Sequence, residues 1–168
     1  QLWNPPLNYS EFQNQISYVA FVNDSDLYIG GKSFGFNPFD TDMLLIQCDK
    51  NSGIIKNDTT HDFGMNGYDE LDAIHTTTDG IYCSGWAQSV MSGAYENEIG
   101  IWKLNYNFTT DFAITHGVAN TAEHADGHMV MDSGFMYLSG LWGGDGIANL
   151  FDGKAFIGKF DRNTGAMT

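Results

Sequence analysis

The chain has 168 residues, room for one domain with a hydrophobic core but not for two, and its 7 Lys+Arg against 21 Asp+Glu give a formal charge of -14. That sign repels a phosphate backbone and an anionic membrane surface, and no apolar run approaches the roughly 20 residues of a span, so nucleic acid and membrane insertion are excluded as partners. With 42% hydrophobic, 14% aromatic and only 17% charged residues the chain is too apolar for disorder, and its 20 glycines point to many tight turns.

The chain opens on Gln1 rather than Met, with no basic-then-apolar leader, which reads as a processed or trimmed product. Residues 1–14 fit no pattern and form an N-terminal extension. Short apolar stretches bounded by Gly, Asn, Asp and Ser follow, as strands and turns require. In residues 15–64 the predicted strands are Ser17 to Val22, Leu27 to Lys32, Met43 to Asp49 and a weaker one within Gly53 to His61. Residues 65–117 supply Leu71 to Thr77, a turn at Thr78-Asp79-Gly80, Ile81 to Ala87, a long loop, Ile99 to Asn105 and Phe108 to Thr115. Residues 118–168 supply His128 to Met131, Phe135 to Leu141 and Ala155 to Asp161, and the series stops before a fourth strand. No segment keeps an apolar spacing of three and four over a dozen residues, so almost no helix is predicted.

These groups repeat. Tyr28-Ile29-Gly30-Gly31, Tyr82-Cys83-Ser84-Gly85 and Tyr137-Leu138-Ser139-Gly140 each place Tyr three residues before Gly, the tyrosines being 54 and 55 residues apart. Asp49-Lys50-Asn51-Ser52-Gly53 recurs as Asp161-Arg162-Asn163-Thr164-Gly165, 112 residues on, and Asn105 stands midway. Phe63-Gly64 against His116-Gly117 gives a third landmark, 53 residues apart. Four antiparallel strands at a period of about 55 residues are what a β-propeller blade needs. The glycine closing the second strand is expected to permit close backbone approach where blades wedge together near the central channel, or else only to mark the strand end.

On these residues the sequence resembles the seven-bladed β-propeller repeat family, in which a Tyr-x-x-Gly strand precedes a loop, an acidic-apolar strand and an Asp-x-x-x-Gly turn. The matching positions are Tyr28, Gly31, Asp42, Asp49 and Gly53, then Tyr137, Gly140, Asp161 and Gly165. The second copy departs, with Asn105 for the turn Asp and no Gly after it. The resemblance runs from Ser17 to Gly165 and implies an all-β chain of three propeller-type blades (residues 15–64, 65–117 and a truncated 118–168). It also implies a secreted or cell-surface setting, and it leaves function open, since propellers host many activities.

Candidate sites are few. The sequons Asn8-Tyr9-Ser10, Asn23-Asp24-Ser25, Asn57-Asp58-Thr59 and Asn107-Phe108-Thr109 lack a central Pro, and Asn23 and Asn107 fall in predicted turns where N-linked glycans meet solvent. Cys48 and Cys83 fall on buried-strand positions and read as small core residues or, in a secreted chain, as an inter-blade disulfide. His124, Asp126 and His128 would share one face if extended and could meet a cation, but Gly127 and the neighbouring Asn and Thr favour a solvated loop that opens the third blade. Asp40 with Asp42, and Asp145 with Asp152, could offer oxygen to calcium but lack a dense alternating acidic loop. No metal or other cofactor is therefore assigned. No G-x-S-x-G elbow, P-loop, H-E-x-x-H or sialidase-type turn occurs, so no catalytic residue is named.

Three blades do not close a conventional ring, which needs four to eight. Either the chain is part of a longer propeller, or several copies complete one another. The expected function is a non-enzymatic, extracellular structural or adhesive module that associates with its own copies into a ring or filament. The edge strand Ala155 to Asp161, with Phe156 and Phe160, would receive Leu2 to Phe12 of a neighbour, anchored by Trp3 and Leu7; Pro5 and Pro6 are tolerable at an edge. The alternative is a carbohydrate-binding or carbohydrate-processing propeller with a site on one loop face, where Trp3, Trp86, Trp102 or Trp142 would stack on sugar rings, although Trp86 and Trp142 fit blade packing better.

Overall fold

The computed structural model describes residues 16–34, 40–64, 67–91, 94–118, 121–144 and 154–168. Among them the chain is all-β with no helix, and so none long and apolar enough to cross a membrane. The strands are β1 (Ile16–Val22), β2 (Asp26–Phe34), β3 (Thr41–Asp49), β4 (Ile55–His61), β5 (Glu70–Thr77), β6 (Gly80–Met91), β7 (Ala94–Leu104), β8 (Thr110–His116), β9 (Ala122–Met131), β10 (Phe135–Gly144) and β11 (Lys154–Asp161). Residues 1–14, with Trp3, Leu7 and Asn8, lie outside the described residues, as do Asp145 and Asp152.

Strands β1 to β4 make one antiparallel sheet in sequence order, and β5 to β11 make a second, in the order β11-β10-β9-β7-β6-β5 with β8 beside β7; one of the two sheets curls into a half-barrel. The sequence led to three separate blades, the third without its fourth strand; the described strands form two sheets instead. Strand β9 joins β7 through one parallel pair, Asn97 with Ala122. The cause is local: β8 covers the β7 edge only as far as His116 opposite Ile99, and β9 takes up the same edge two residues further on. A parallel bridge from Thr41 to Tyr68 links the two sheets in the same manner.

Turn chemistry explains the connections. The Asn23 side-chain oxygen accepts the N–H groups of Ser25 and Asp26 at 3.0 and 2.8 Å, and Asp132 does the same for Gly134 and Phe135, both at 2.8 Å. Asp49 Oδ1 accepts from the N–H of Asn51 and Ser52, and Asp161 Oδ1 from Asn163 and Thr164. Each of these two turns ends on a glycine at φ 73, Gly53 and Gly165. After β7 the same task falls to Asn105, whose side chain accepts from Asn107 and Thr109, and the left-handed residue is Phe108 at φ 62.

Two corrections concern strand length. The expected long loop after Ala87 is a continuous hairpin, paired from Ile81–Leu104 to Met91–Ala94. Beyond Ala87 the next pairs are Gln88 with Asn97 and Ser89 with Glu96, polar residues that carry no apolar signature, and Gln88 Nε2 donates to Asn97 Oδ1 at 3.1 Å. Likewise the Glu123 to His128 segment is not a loop but part of β9, with Glu123 and Ala125 buried.

The core lies between sheet layers. Tyr28, Met43 and Leu45 of the first sheet pack with Leu71, Ile74, Ile81, Cys83, Trp102 and Leu104. Tyr82, Ile99 and Ile101 pack with Ala125, Met136, Leu138 and Phe160. Burying each large apolar side chain in these clusters contributes about 1.5–3 kcal/mol. Strand alternation sends neighbours such as Leu44, Ile46 and Cys48 to the opposite face, where they form a third cluster with Ile29 and Ile55. At Gly30 the layers approach so closely that a Cβ would stand 2.4 Å from Leu71 Cδ2.

Candidate functional site

Strand β11 ends the second sheet. It pairs with β10 from Phe135–Asp161 to Trp142–Lys154. On its other side the chain folds back only at the C-terminal end, where Asp161 N–H donates to Ala166 O at 2.8 Å, Thr168 N–H donates to Lys159 O at 2.9 Å, and Phe160 bridges Met167. Backbone groups alternate along a strand, so Ala155 and Ile157 turn their N–H and C=O groups to the side that Lys159 and Asp161 use. No strand pairs with them there among the described residues. Such an edge accepts an added strand.

The turn after β11 reaches across to the β5–β6 hairpin. Arg162 donates from Nε to the Tyr82 hydroxyl at 3.1 Å and from Nη2 to Thr77 Oγ1 at 2.9 Å, and it pairs with Asp79. Tyr82 in turn donates to Asp79 Oδ2 at 2.9 Å, and Lys103 lies 3.4 Å from the same oxygen. Burial pushes the Asp79 carboxyl up, but the bonds from Thr77, Tyr82 and Arg162 and the guanidinium charge outweigh it, leaving the group well below the usual carboxylate range.

The other joint is acidic. Asp69 is fully buried; Oδ2 accepts the Phe63 N–H at 2.7 Å and Oδ1 the Gln88 N–H at 2.9 Å. These bonds tie the segment leaving the first sheet to the far part of β6. Burial raises the Asp69 carboxyl to about 7, the two N–H bonds opposing the shift and the charges of Asp62 and Asp42 adding to it. Asp42 rises to about 6, from burial first and then from Asp62 and Asp40. Glu123 is the counterpart one joint further on, buried and accepting from Val118 N–H at 3.2 Å. Beside Asp69, Lys32 lies buried, paired with Glu70 at 3.1 Å and 4.3 Å from the Tyr68 ring centre.

The sequence candidates do not converge on one place. Asn107 is exposed in the turn after β7, and its side chain takes no part in the hydrogen bonds that shape that turn. Asn23 is half-buried, spends its oxygen on its own turn and bonds the Tyr28 hydroxyl, while Asn57 sits on β4 and donates to Gln47 Oε1 at 2.8 Å. Phe160 is fully buried and Phe156 half-buried, its ring 5.7 Å from Trp142, so in the single chain both serve the core. Cys48 and Cys83 are buried free thiols in different clusters, and no disulfide joins them. His128 is exposed, Asp40 and Asp42 have mainly like charges for company, and no group of three or more metal-ligating side chains occurs among the described residues. Trp102 is core, stacked 5.2 Å from His61, and Trp86 lies 5.4 Å from Tyr68. Sequence reasoning missed Arg162, Asp79 and Asp69. The available signal for the first was its place in the recurring Asp-x-x-x-Gly turn.

No protein-family model matches the chain, and comparison with curated proteins finds no match.

Proposed function

We propose that this chain is a β-propeller-type repeat module, a non-enzymatic structural or adhesive component that works outside the cell and assembles with its own copies by strand addition at β11. Its repeating character is supported by cross-strand registers. Tyr28 stands opposite Gln47, Tyr82 opposite Lys103 and Tyr137 opposite Lys159, the partners being spaced by 56 residues. Gly31, Gly85 and Gly140 face Leu44, Gly100 and Phe156, again 56 apart.

One observation carries the assembly reading: β11 is bonded along its whole length to β10 and, among the described residues, on its outer side only near Lys159 to Asp161. An edge in that state takes a strand from a partner or from water-mediated pairing. Residues 1–14, which carry Leu2, Trp3, Leu7 and Phe12 and lie outside every predicted repeat, are the proposed donor. Support for an extracellular setting comes from the exposed sequon at Asn107. Light scattering on the full chain and on a chain lacking residues 1–14 tests the reading. Concentration-dependent association of the full chain, lost on deletion, is the expected result; association unchanged by the deletion removes the donor role.

A further inference from the structure

The outward face of the third strand group, β9 to β11, differs from its counterparts in one respect. Positions that share its cross-strand register in the earlier groups are covered. Leu45 and Ile101 are 0% exposed, whereas Ile157, at the equivalent step of β11, is 81% exposed. Met43 and Ile99 are fully buried, but Ala155 is exposed. Tyr28 and Tyr82 are fully buried, but Tyr137 is half-open. Val130 on β9, opposite Tyr137, adds another apolar side chain at 66% exposure. In the first two groups this face is the one on which the next group packs. The third group presents a prepared but unoccupied surface of the same design.

The occupant can be read from the joint already formed. There, Arg162, second residue of its turn, enters a receptor made of Asp79 and Tyr82, in which the tyrosine hydroxyl donates to the carboxylate. Asp132 and Tyr137 repeat that receptor: the Tyr137 hydroxyl donates to Asp132 Oδ2 at 3.0 Å, and Asp132 is exposed. Lys50 holds the place of Arg162 in the turn Asp49 to Gly53; it is exposed, and in the single chain it reaches only across its own sheet, to the Asp24 carbonyl oxygen.

We infer that the exposed face of β9–β11 docks the first sheet of a second copy head-to-tail, with the copy's Lys50 seated on Asp132 and Tyr137 and its apolar residues covering Ile157 and Val130. This rests on the proposed self-assembly but assigns it a sheet face and a charge pair rather than a strand edge. Leu44 and Ile46, on the outward side of the first sheet, are only 4% exposed in the single chain, so whatever covers them must shift when the joint forms. Association is therefore expected to be slow for its affinity. A head-to-tail contact of this type either closes a ring or propagates a filament.

The test is sedimentation velocity over a concentration series on the full chain and on variants at exposed positions. Ile157→Glu is expected to weaken association at least tenfold. Lys50→Met and Asp132→Asn should each weaken it severalfold, and the double variant no further than either alone, which is the mark of a direct pair. Asn at 132 keeps the turn, because Asn23 forms the same turn with its amide oxygen. Far-ultraviolet spectra of the variants should match the parent. Association unaffected by Ile157→Glu overturns the inference, as do additive effects of the Lys50 and Asp132 substitutions. Association lost on deleting residues 1–14 yet indifferent to all three substitutions overturns this inference and leaves strand addition standing. The reverse pattern supports the face and removes the strand. A chain monomeric at every concentration overturns both.

Discussion

Arg162 donates to the hydroxyl of Tyr82 at 3.1 Å, across 80 residues of sequence, and so ties the turn after β11 to the turn end of the β5–β6 hairpin. Its guanidinium carbon lies 5.5 Å from the same ring, so charge, hydrogen bond and packing act at one point. Arg162→Gln is expected to cost about 1–2 kcal/mol at neutral pH, the range for losing a charge-assisted bond at a partly exposed site. The Asp79 carboxyl is held below its unfolded value, so its share of stability is present above the usual carboxylate pKa and is lost as pH falls through the lower folded one. Urea unfolding of parent and variant at pH 7 and again near pH 2 should show the gap narrowing in acid.

Asp69 has the opposite sign. Its folded pKa, about 7, lies above the unfolded carboxylate value, so folding takes up a proton between the two. That contribution is fully present below about pH 4 and falls away as pH rises through 7, with Asp42 adding the same trend up to about 6. The slope is bounded at about 1.4 kcal/mol per pH unit for each group. Denaturant midpoints measured from pH 5 to 8 should decline in the parent and flatten in Asp69→Asn. A parent whose stability is level across that range would show that the two N–H bonds from Phe63 and Gln88 hold Asp69 as the anion throughout.

A Cβ on Gly85 would stand 2.1 Å from Glu70 O and 2.9 Å from Asp72 N, both backbone atoms of β5 that cannot swing away. The pairing slips by one residue at this point, between Leu71 and Ala73, and Gly85 fits beneath that bulge. Gly85→Ala is expected to cost about 3 kcal/mol or more. Gly134→Ala, where the nearest atom is 4.0 Å away, should leave thermal unfolding nearly unchanged.

Gly85 also shows how the sequence could be read and where reading stopped. The recurring Tyr-x-x-Gly pattern pointed to close backbone approach, and the approach is real, but it lies within the sheet at a bulge rather than between layers. Gly31 and Gly140 stand at similar slips, opposite Ser17 and Ala125. Strand positions were legible where side chains alternate over a buried face, as in β2, β5 and β10, and where an apolar run is buried on both faces, as in β3. The β6–β7 hairpin beyond Ala87 was not, because its next pairs, Gln88 with Asn97 and Ser89 with Glu96, are polar residues that look like loop. The Asn105 turn showed no glycine because Phe108 holds the left-handed position and packs on the core in compensation. Asp69 was illegible for a different reason: its role depends on which backbone N–H groups come near after folding, and nothing local encodes that. For Arg162 the recurring turn marked the place but not the Tyr82 hydroxyl that it meets.

Cys48 and Cys83 are buried free thiols, and burial pushes both further toward the neutral, unreactive form. Iodoacetamide should leave the native chain unmodified and add two groups after denaturation without reductant. A requirement for reductant would mean that the pair is oxidised.

Among the three sequons within the described residues, the differences in geometry predict an order of glycan occupancy. The acceptor atom is the amide nitrogen of Asn. At Asn57 that nitrogen donates to Gln47 Oε1 at 2.8 Å, on a strand whose neighbour fixes the side chain. At Asn23 the side chain is engaged on its own turn and on the Tyr28 hydroxyl, which is fully buried. Asn107 is exposed, lies between β7 and β8, and offers its amide to solvent while Asn105 does the work of shaping the turn. A glycan there displaces no internal bond, so occupancy should be highest at Asn107 and lower at Asn23 and Asn57. Glycopeptide mass spectrometry of material secreted from a eukaryotic host reads the three sites separately. Full occupancy at Asn57 with none at Asn107 would contradict the geometric ranking, and unmodified peptides at all three would remove the glycoprotein assignment for this part of the chain.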